Sequence, residues 1–577
     1  MPLYNNFTQY FFIFFCCSLI PLIFIQHGRF LSKKILFLDI KKINYYELGL
    51  IGIISISLYA LIVNFFFKLD NIINLIIIFF PILFFSINKK IITISLKIGL
   101  ISFVILILEN TYRPDAGLYH LPFISILNEY NLIIGSANLQ FRFGHISILQ
   151  YLSAIFNNFI FTENGILIPP ATIFALIVSF IFKEFKNKIY SEFYRFISFL
   201  FLITIIITMS RYGEFGNDQP GHVFFFITLI TFLKIDLKKI NNIEASKIFL
   251  YSSYAFLIKP LLIFALFFPL ILILMNIKNA LLLKRVIIFS FIFIILWLFR
   301  NFLTSSCFLY PIKITCFNNF DWSASKNLLY NPEYISDMTE AWSKDYPNRI
   351  KKTLNEKDYI SDINWLNVWL KNHFLVIIKK IYIILIILIF LIIIKFKKFS
   401  NSEIFFLKKK IYIIFFVSLV GTIVWFLKFP TYRYGSSYIL SFLIFSYLMI
   451  FFIKKRKLNN FKESARILVS IIIILTVLVL IKNLIRIYKN YDHYYTDYPW
   501  PKKNSYTENN NQNKNIPVYN NPKKFLYFKP APYELCMYSP SPCSSEIIEN
   551  LDVKKIKFLN NLIYFPTRNI DNKDKKY

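Results

Sequence analysis

A cluster of polar side chains between positions 113 and 145 interrupts a chain that is otherwise mostly Ile, Phe and Leu separated by Lys. A carboxylate in such a cluster can act as a general base toward a hydroxyl or hold a metal ion. Amide, imidazole and guanidinium groups can donate hydrogen bonds to hydroxyls or to phosphate. We therefore expect the chemistry of this protein within residues 111–158, where the candidates are Arg113, Asp115, His120, Asn138, Arg142 and His145.

Asp115 is the leading candidate because it follows Pro114 directly after a long apolar run. Proline stops a helix, so it would hold the carboxylate at the membrane surface, where partial desolvation favours a general base or a metal ligand. The alternative is that Asp115 only pairs with Arg113 or caps a helix that starts near Gly117. For the segment 135–145, the alternative is ordinary solvation or neutralisation of lipid head groups.

Two further acids, Glu214 and Asp218, lie in the polar segment RYGEFGNDQPGH. Gly213 and Gly216 allow the backbone to approach a ligand closely there. Either acid can complement Asp115 as a partner carboxylate or metal ligand. Asp218 fits equally well as the N-cap of the following helix.

Three cations, Lys259, Arg300 and Arg433, lie at the predicted ends of apolar runs. Charge at membrane depth is costly and is usually functional or paired. Together these side chains can surround a phosphate, and Arg433 is favoured because a guanidinium between Tyr432 and Tyr434 can bind phosphate in a bidentate geometry. Snorkelling of the side chains to the interface is the alternative for all three.

The composition is that of a polytopic membrane protein, since 56% of the 577 residues are hydrophobic, 19% are aromatic and the mean hydropathy is +0.53. The net charge of +33 comes from short basic clusters between apolar runs, so it indicates topology and gives no support for nucleic-acid binding. The sequence contains no P-loop, GxGxxG, HExxH or zinc-type CxxC pair. Soluble nucleotide chemistry is therefore excluded.

Apolar runs long enough to cross a hydrocarbon core of ~30 Å predict an all-α fold with about 12–14 transmembrane helices. The predicted spans are residues 8–26, 46–67, 70–88, 91–108, 165–182, 190–209, 219–234, 248–258 with 260–276, 285–303, 374–394, 411–428, 435–453 and 464–484. Seven of the loops between them carry 28 Lys or Arg against six Asp or Glu, which places those loops in the cytoplasm by the positive-inside rule. The alternation closes only if 248–276 forms a hairpin that turns at Lys259 and Pro260.

This topology leaves four polar segments facing outward, namely 109–164, 210–218, 301–373 and 484–577. In the first of them, apolar spacing predicts two amphipathic interfacial helices around 119–126 and 143–151. The outward segments also contain two close cysteine pairs, Cys307 with Cys316 and Cys536 with Cys543. An oxidising compartment permits disulfides there, but the sequence does not establish the pairing.

The chain divides into a transmembrane domain, 1–484, and a small outward C-terminal module, 485–577, of α/β or irregular structure. A stretch rich in Tyr, Asn, Lys and Pro predicts a flexible connector at about 494–531. Strand-like runs at 556–559 and 562–565 follow it.

The runs RPDAGLYHLP, NLIIGSANLQFRFGHIS, RNFLTSSCFLYP and YRYGSSY resemble the GT-C superfamily of glycosyltransferases that use polyprenyl-phosphate-linked sugars, and more closely a poorly characterised bacterial family of GT-C-like membrane proteins. The resemblance covers most of the chain. It implies a catalytic or metal-binding role for Asp115, which matches the acid of the first large outward loop in that superfamily. The sequence departs from the pattern because it has no DxD and no WWDYG-like signature, and its first large loop follows the fourth span. These departures leave metal dependence open.

We therefore expect a glycosyltransferase of the bacterial inner membrane, with its active-site loops and C-terminus in the periplasm and with membrane lipid, a polyprenyl-phosphate sugar and a glycan or lipid acceptor as partners. Asp115 would deprotonate the acceptor, assisted by Glu214 or Asp218, and Arg433 with Lys259 or Arg300 would hold the phosphate. The substrate site would be lined further by Arg113, His120, Asn138, Arg142 and His145. The sequence identifies no certain cofactor, and a divalent cation, Mg or Mn, held by Asp115 and Asp218 stays open.

Two other functions fit the composition, namely a transporter or flippase for a lipid-linked substrate and a noncatalytic assembly protein for envelope polysaccharide. Transporters usually place ionisable residues near the midplane of broken helices. The predicted outward position of the polar residues favours the enzyme.

Overall fold

The computed structural model describes most of the chain. The described residues are 2–108, 114–188, 191–237, 240–275, 283–327, 329–346, 355–361, 363, 365–393, 401–453, 461–489, 516–520, 524–531, 535–537, 539–546, 548, 550–556 and 561–567. Arg113 and most of the predicted connector, up to residue 515, lie outside them.

The described residues are mainly helical. In chain order the α-helices are α1 (Pro2–Phe30), α2 (Tyr45–Asn64), α3 (Asn71–Phe79), α4 (Lys89–Ile107), α5 (Leu121–Glu129), α6 (Ile148–Phe156), α7 (Ile168–Lys186), α8 (Glu192–Ile207), α9 (Asp218–Lys234), α10 (Asn242–Ile258), α11 (Phe267–Met275), α12 (Lys284–Ser305), α13 (Pro332–Ser343), α14 (Glu356–Ser361), α15 (Trp365–Trp369), α16 (Leu375–Ile393), α17 (Asn401–Lys428), α18 (Tyr432–Ile453) and α19 (Phe461–Lys489). The strands are β1 (Ile516–Asn520), β2 (Lys524–Lys529), β3 (Leu551–Lys555) and β4 (Leu562–Pro566).

Within these ranges, eight helical segments are long and apolar enough to cross a membrane. They are Phe7–Ile35, Tyr45–Asn64, Lys89–Ile107, Ile168–Lys186, Lys284–Ser305, Trp365–Ile389, Leu407–Lys428 and Arg466–Lys489. Three shorter apolar segments accompany them, Asn71–Phe84, Phe193–Ile207 and Pro260–Met275. The structure thus confirms an all-α polytopic architecture with a small module of strands.

Contacts between neighbouring segments show which helix ends lie close together, and the ends form two groups. At one end, which we call the lysine-rich end, Lys247 of α10 donates to Glu47 of α2 over 2.7 Å. At the other, which we call the site end, the backbone N–H of Leu69 donates to the carbonyl of Leu127 over 2.9 Å. Among the described residues, the lysine-rich end includes 27–47, 84–90, 183–188, 191–195, 234–237 and 240–247, and the site end includes 64–71, 114–166, 209–218 and 428–434.

The predicted span 70–88 joins the two ends but is not one continuous α-helix. After α3 the chain forms a 3₁₀ turn over Phe80–Phe84, which contains Pro81. Proline has no N–H and its ring clashes with the preceding turn, so it interrupts an α-helix. Asn74, in the first turn of α3, donates its side-chain amide to the Ala154 carbonyl over 3.1 Å. At the other end of this passage, Arg29 donates to the Ser86 carbonyl over 2.8 Å.

The predicted hairpin turn at Lys259 and Pro260 is confirmed. Lys259 has an extended backbone (φ −147°) directly after α10, and a 3₁₀ segment starts at Pro260. The first limb is longer than predicted, because α10 starts at Asn242 and contains 17 residues. At 1.5 Å per residue that is about 26 Å, close to the thickness of a hydrocarbon core.

The first large loop contains both of the helices predicted for it. A π-helical turn over Ala116–His120 leads directly into α5, and α6 follows after an irregular stretch. Every residue of α6 is buried. The helix is therefore enclosed by other parts of the protein rather than lying open at an interface.

The C-terminal strands pack on this loop. β1 pairs with β2 and β3 pairs with β4, both antiparallel. Ile563 of β4 forms a parallel bridge with Ile134, and the N–H of Tyr564 donates to the Ile134 carbonyl over 2.9 Å. The module is thus anchored to the first loop through main-chain hydrogen bonds.

Three of these strands can be compared with the sequence predictions for the module. β4 coincides with the predicted run 562–565, whereas 557–559 of the predicted run 556–559 lie outside the described residues. β1 and β2 fall within the last part of the stretch predicted as a connector. Both cysteine pairs, Cys307 with Cys316 and Cys536 with Cys543, form disulfides.

Gly135 provides a test of the docking between the loop and the module. Its φ is +70°, and a Cβ atom there would lie 2.0 Å from the Tyr564 carbonyl oxygen. We expect Gly135→Ala to destabilise the docked module by about 1–3 kcal/mol, because both the backbone conformation and the contact oppose a side chain. Limited proteolysis of the C-terminal module should become faster. Gly216→Ala is the control, since its nearest atom would be a flexible side-chain atom at 3.6 Å, and equal cleavage rates for the two variants would contradict the expectation.

Candidate functional site

Two acids and two cations from four separate segments meet at the site end. Arg433, in the first turn of α18, has its Nη1 atom 3.3 Å from Oδ2 of Asp115 and its Nε atom 3.9 Å from Oδ2 of Asp218. Lys259 donates to Oδ1 of Asp218 over 2.5 Å. We call these four residues the charged cluster. It brings together the leading acid, one of the two partner acids and two of the three cations predicted from the sequence.

The local structure excludes helix capping by either acid, whereas Arg113, the other partner considered for Asp115, lies outside the described residues. Asp115 has helical backbone angles and makes no capping hydrogen bond. Asp218 is itself the first residue of α9, whose N-cap is Asn217. Both carboxylates instead point to Arg433, so neither serves as a helix cap.

The charged cluster is open on one side. The side chains of Arg433, Asp115 and Asp218 are 41%, 39% and 30% exposed, whereas Lys259 is only 11% exposed. The Nε atom of Arg433 is itself buried and makes no hydrogen bond with the described residues. The Nε atom faces the Asp218 carboxylate, so an anion that reaches the open side would meet the other, exposed part of the Arg433 side chain.

Aromatic rings surround the cations. Arg433 donates from Nη2 to the Tyr434 hydroxyl over 2.7 Å and lies 5.2 Å from the centre of the Trp342 ring. Lys259 lies 4.3 Å from the centre of the Tyr434 ring. Such cation–π contacts offset part of the cost of removing these charges from water.

His222 of α9 positions the start of α18. Its Nε2 donates to the carbonyl of Arg433 over 2.8 Å, and its Nδ1 lies 2.8 Å from the Ser437 hydroxyl. Lys259 donates to the same carbonyl over 3.2 Å. These contacts fix the first turn of α18 and hence the position of the guanidinium.

His120 lies within the electrostatic influence of the charged cluster. Burial lowers the pKa of its imidazole to about 4, an effect that Asp115 and Asp218 oppose and Arg433 reinforces. Its Nδ1 lies 3.5 Å from the Gln150 amide. The ring is therefore neutral at neutral pH and can offer a hydrogen bond but not a positive charge.

The structure does not bring Glu214 and Arg300 into the charged cluster. Glu214 pairs with Arg211 in its own loop (2.9 Å). Arg300 is buried and donates from Nε to the Tyr151 hydroxyl over 2.6 Å. The expectation that Arg300 helps to hold a phosphate at the same place has no support in these contacts.

The three remaining predicted residues of the first loop have other surroundings. Arg142 lies over the ring of Phe141 (4.3 Å). His145 is exposed beside Tyr310. Asn138 donates to main-chain carbonyls, including that of Trp322 over 2.9 Å, so its amide holds loops together.

The charged cluster suits an anion better than a metal ion. Arg433 lies between the two carboxylates, and its charge opposes a divalent cation there. Within the part of the chain that the structure describes, no group of three or more His, Cys, Asp or Glu side chains is placed to hold a metal. We derive no step through a metal.

Sequence reasoning did not assign site roles to Trp342 and His222. Trp342 lies in the second long loop, and nothing in its sequence neighbourhood distinguishes it from other loop aromatics. The sequence did contain a signal for His222. It follows Asp218 by one helical turn and therefore lies on the same face of α9.

Comparison of the sequence with known protein families gives a match, and this match covers the charged cluster. A family described as a domain of unknown function (DUF8201) matches residues 10–440. The match includes all four residues of the charged cluster, whereas the C-terminal strands lie beyond it. No curated protein and no solved structure matches the chain.

Proposed function

We propose that this chain, which belongs to the DUF8201 family, is an integral-membrane glycosyltransferase that moves a sugar from a polyprenyl-phosphate-linked donor to a hydroxyl of an envelope glycan or lipid. The observation that carries the proposal is the single guanidinium of Arg433 between the carboxylates of Asp115 and Asp218 at an open edge of the bundle. This arrangement supports the proposal because it puts a proton acceptor beside a cation that can bind phosphate.

The donor phosphate would bind to Arg433 and Lys259. Without a ligand the charged cluster is formally neutral, since its two cations balance its two carboxylates. A phosphate oxygen that binds the exposed part of the Arg433 side chain would compete with the Asp115 carboxylate for the guanidinium. The contact to Asp115, 3.3 Å long and about two-fifths exposed, is the one that is easiest to displace.

Displacement of Asp115 would free the base. The acceptor hydroxyl then attacks the anomeric carbon, and its proton passes to the Asp115 carboxylate. The bond between the anomeric carbon and the phosphate oxygen breaks, and the leaving lipid phosphate keeps that electron pair. Arg433 and Lys259 stabilise the negative charge of the leaving phosphate. Because the hydroxyl displaces the phosphate in a single step, the configuration at the anomeric carbon is inverted.

Asp218 would act as a positioning residue. It binds Lys259 through one oxygen and faces Arg433 with the other, so it holds the two cations close together. The neutral His120 and the phenol of Tyr119 are near enough to Asp115 to feel its charge, and they can donate hydrogen bonds to the sugar.

The proposal includes a cellular arrangement. About 12–14 passages would cross the bacterial inner membrane, with the lysine-rich end in the cytoplasm and the site end outside. The excess of Lys and Arg over acids in the loops of the lysine-rich end supports this orientation.

Transfer in proteoliposomes tests the proposal. Purified full-length protein would be given polyprenyl-phosphate sugars with a radiolabelled sugar, together with a crude envelope glycan and lipid extract as acceptor. We expect label to move to the acceptor fraction. Movement of labelled lipid across the bilayer without transfer would instead favour a flippase, and neither activity would favour an assembly protein.

The pH dependence of donor binding tests the role of Lys259. Burial lowers the pKa of its ammonium to about 8, Asp218 opposes that shift, and Arg433 adds to it. A phosphodiester does not titrate in this range, so affinity for a polyprenyl-phosphate sugar should be constant below pH 7 and fall as the pH rises through 8. In Lys259→Arg the fall should disappear, because a guanidinium stays protonated. Binding to nanodisc-embedded protein at pH 6.5 and 9.5 measures this, and a wild-type affinity that is equal at both pH values would contradict it.

A further inference from the structure

A second polar groove lies at the site end, away from the charged cluster. It has a volume of about 590 Å³ and lies between the start of α3, one face of α5, the loop before α7 and the loop closed by the Cys536–Cys543 disulfide. Its polar lining residues are Asp70, Asn71, Ser125, Asn128, Glu129, Asn157, Asn158, Thr162, Glu163 and Ser539.

The floor of the groove is held rigidly by two asparagine side chains. Asn128 donates to the carbonyls of Leu69 (2.7 Å) and Ala154 (2.9 Å). Asn74, buried below it, donates to the same two carbonyls over 2.9 and 3.1 Å. These paired contacts tie α3, α5 and α6 together, so the groove is preformed.

Three groups on the walls are free to bind a ligand. The Asn71 oxygen accepts from the backbone N–H of Phe159 over 3.1 Å, but its NH₂ group has no partner among the described residues. The carboxylate of Glu163 likewise has none in the described part of the chain. The ring of Phe159 is 66% exposed and presents a flat apolar face. Hydrogen-bonding amides and carboxylates beside an open aromatic face are the surroundings that suit a sugar ring, which has hydroxyls at its edge and C–H groups on its faces.

The negative charge of the groove restricts the class of ligand that it can bind. Three acids line it, and no Lys or Arg is among its described lining residues. Lys68 lies at the margin, 3.8 Å from Asp70. In a chain with a net charge of +33, this groove repels anions, so phosphate and acidic sugars are disfavoured.

One helical segment connects the groove to the charged cluster. The chain is helical from Asp115 through the π-turn to the end of α5, and Ser125 in the groove is ten residues beyond Asp115. At 1.5 Å per residue the separation along the helix is about 15 Å. An extended glycan held in the groove would have to span this distance for its end to reach Asp115.

We propose that this groove binds a neutral or amino-bearing segment of the glycan acceptor. The identification of the ligand as an acceptor rests on the proposed function. Binding of glycan to the groove can nevertheless be measured without sugar transfer.

An array of defined neutral, amino-bearing and anionic oligosaccharides, probed with the full-length protein in nanodiscs, tests the inference. We expect binding to neutral or amino-bearing members only. Phe159→Ala and Asn71→Ala should each weaken that binding about tenfold, which corresponds to about 1.4 kcal/mol. Ile314→Ala, at a 92% exposed apolar residue outside the groove, and Asp358→Ala, at an exposed polar position in α14, are the matched controls and should bind normally.

Three results would overturn the inference, namely no bound glycan, binding to anionic glycans only, or equal binding by the groove variants and their controls. Asp115→Asn separates this inference from the proposed function, because it should lose transfer while the groove, whose lining does not include Asp115, still binds glycan. Glycan binding without any sugar transfer by the wild type would sink the proposed function and leave the groove assignment standing. Sugar transfer by the groove variants with the acceptor KM of the wild type would instead support the proposed function and contradict the groove assignment.

Discussion

Asp115→Asn is expected to lower the rate of sugar transfer by about 10²–10⁴-fold, the usual contribution of a positioned general base. The amide keeps the shape of the side chain but cannot accept the acceptor proton. Affinity for the donor should not fall, because Asp115 competes with the phosphate for Arg433 in the unliganded protein. Turnover and donor binding measured on the same proteoliposome preparation would show this split between the two quantities.

The control for Asp115→Asn is Asp358→Asn, which removes the charge of an exposed acid in α14. We expect wild-type transfer from it. The role assigned to Asp115 fails if Asn at that position, in protein that inserts normally, leaves transfer intact.

Arg433→Gln is expected to weaken binding of the lipid-phosphate donor about 10- to 100-fold, the range that corresponds to loss of a hydrogen bond to a charged group. The substitution also leaves Asp115 and Asp218 facing each other without a cation between them, which further repels a phosphate. Arg433→Lys should give a smaller loss, since it keeps the charge but lacks the planar fork. Equilibrium binding of a labelled polyprenyl-phosphate sugar measures both variants.

Arg211→Gln is the matched control, because that arginine is also partly exposed at the site end and pairs with Glu214 in its own loop. Its donor affinity should stay within a factor of about two of the wild type. Equal affinities for Arg433→Gln and the control would remove Arg433 from the phosphate site. Size-exclusion profiles of each variant establish that folding is retained.

The segments that cross the membrane follow from hydropathy, because the cost of burying polar groups in hydrocarbon acts on each stretch locally. The turn at Lys259 and Pro260 was also predictable, since a proline removes one helical hydrogen bond and clashes with the preceding turn, although α1 continues through Pro21. Hydropathy did not predict that the passage from α3 to Phe84 is broken, or that α6 is wholly enclosed. The break coincides with Pro81, a local feature that hydropathy does not register, whereas the enclosure of α6 depends on what packs around it.

For the charged cluster, the sequence by itself determined the residue types and their place at the ends of apolar runs. Only the tertiary structure decided which of them meet. Asp115 and Arg433 are 318 residues apart. Glu214 and Asp218 are four residues apart in one loop, yet the first pairs with Arg211 and the second with Lys259.

Arg300 shows the same limit of sequence-based prediction. It shares with Arg433 its residue type and its predicted place at the end of an apolar run, but it is buried and donates to the Tyr151 hydroxyl. The physical reason is that the cost of a charge at the membrane edge is local, so the sequence reveals where charged residues need partners. The choice of partner depends on how the helices pack, and no single segment of the sequence contains that information.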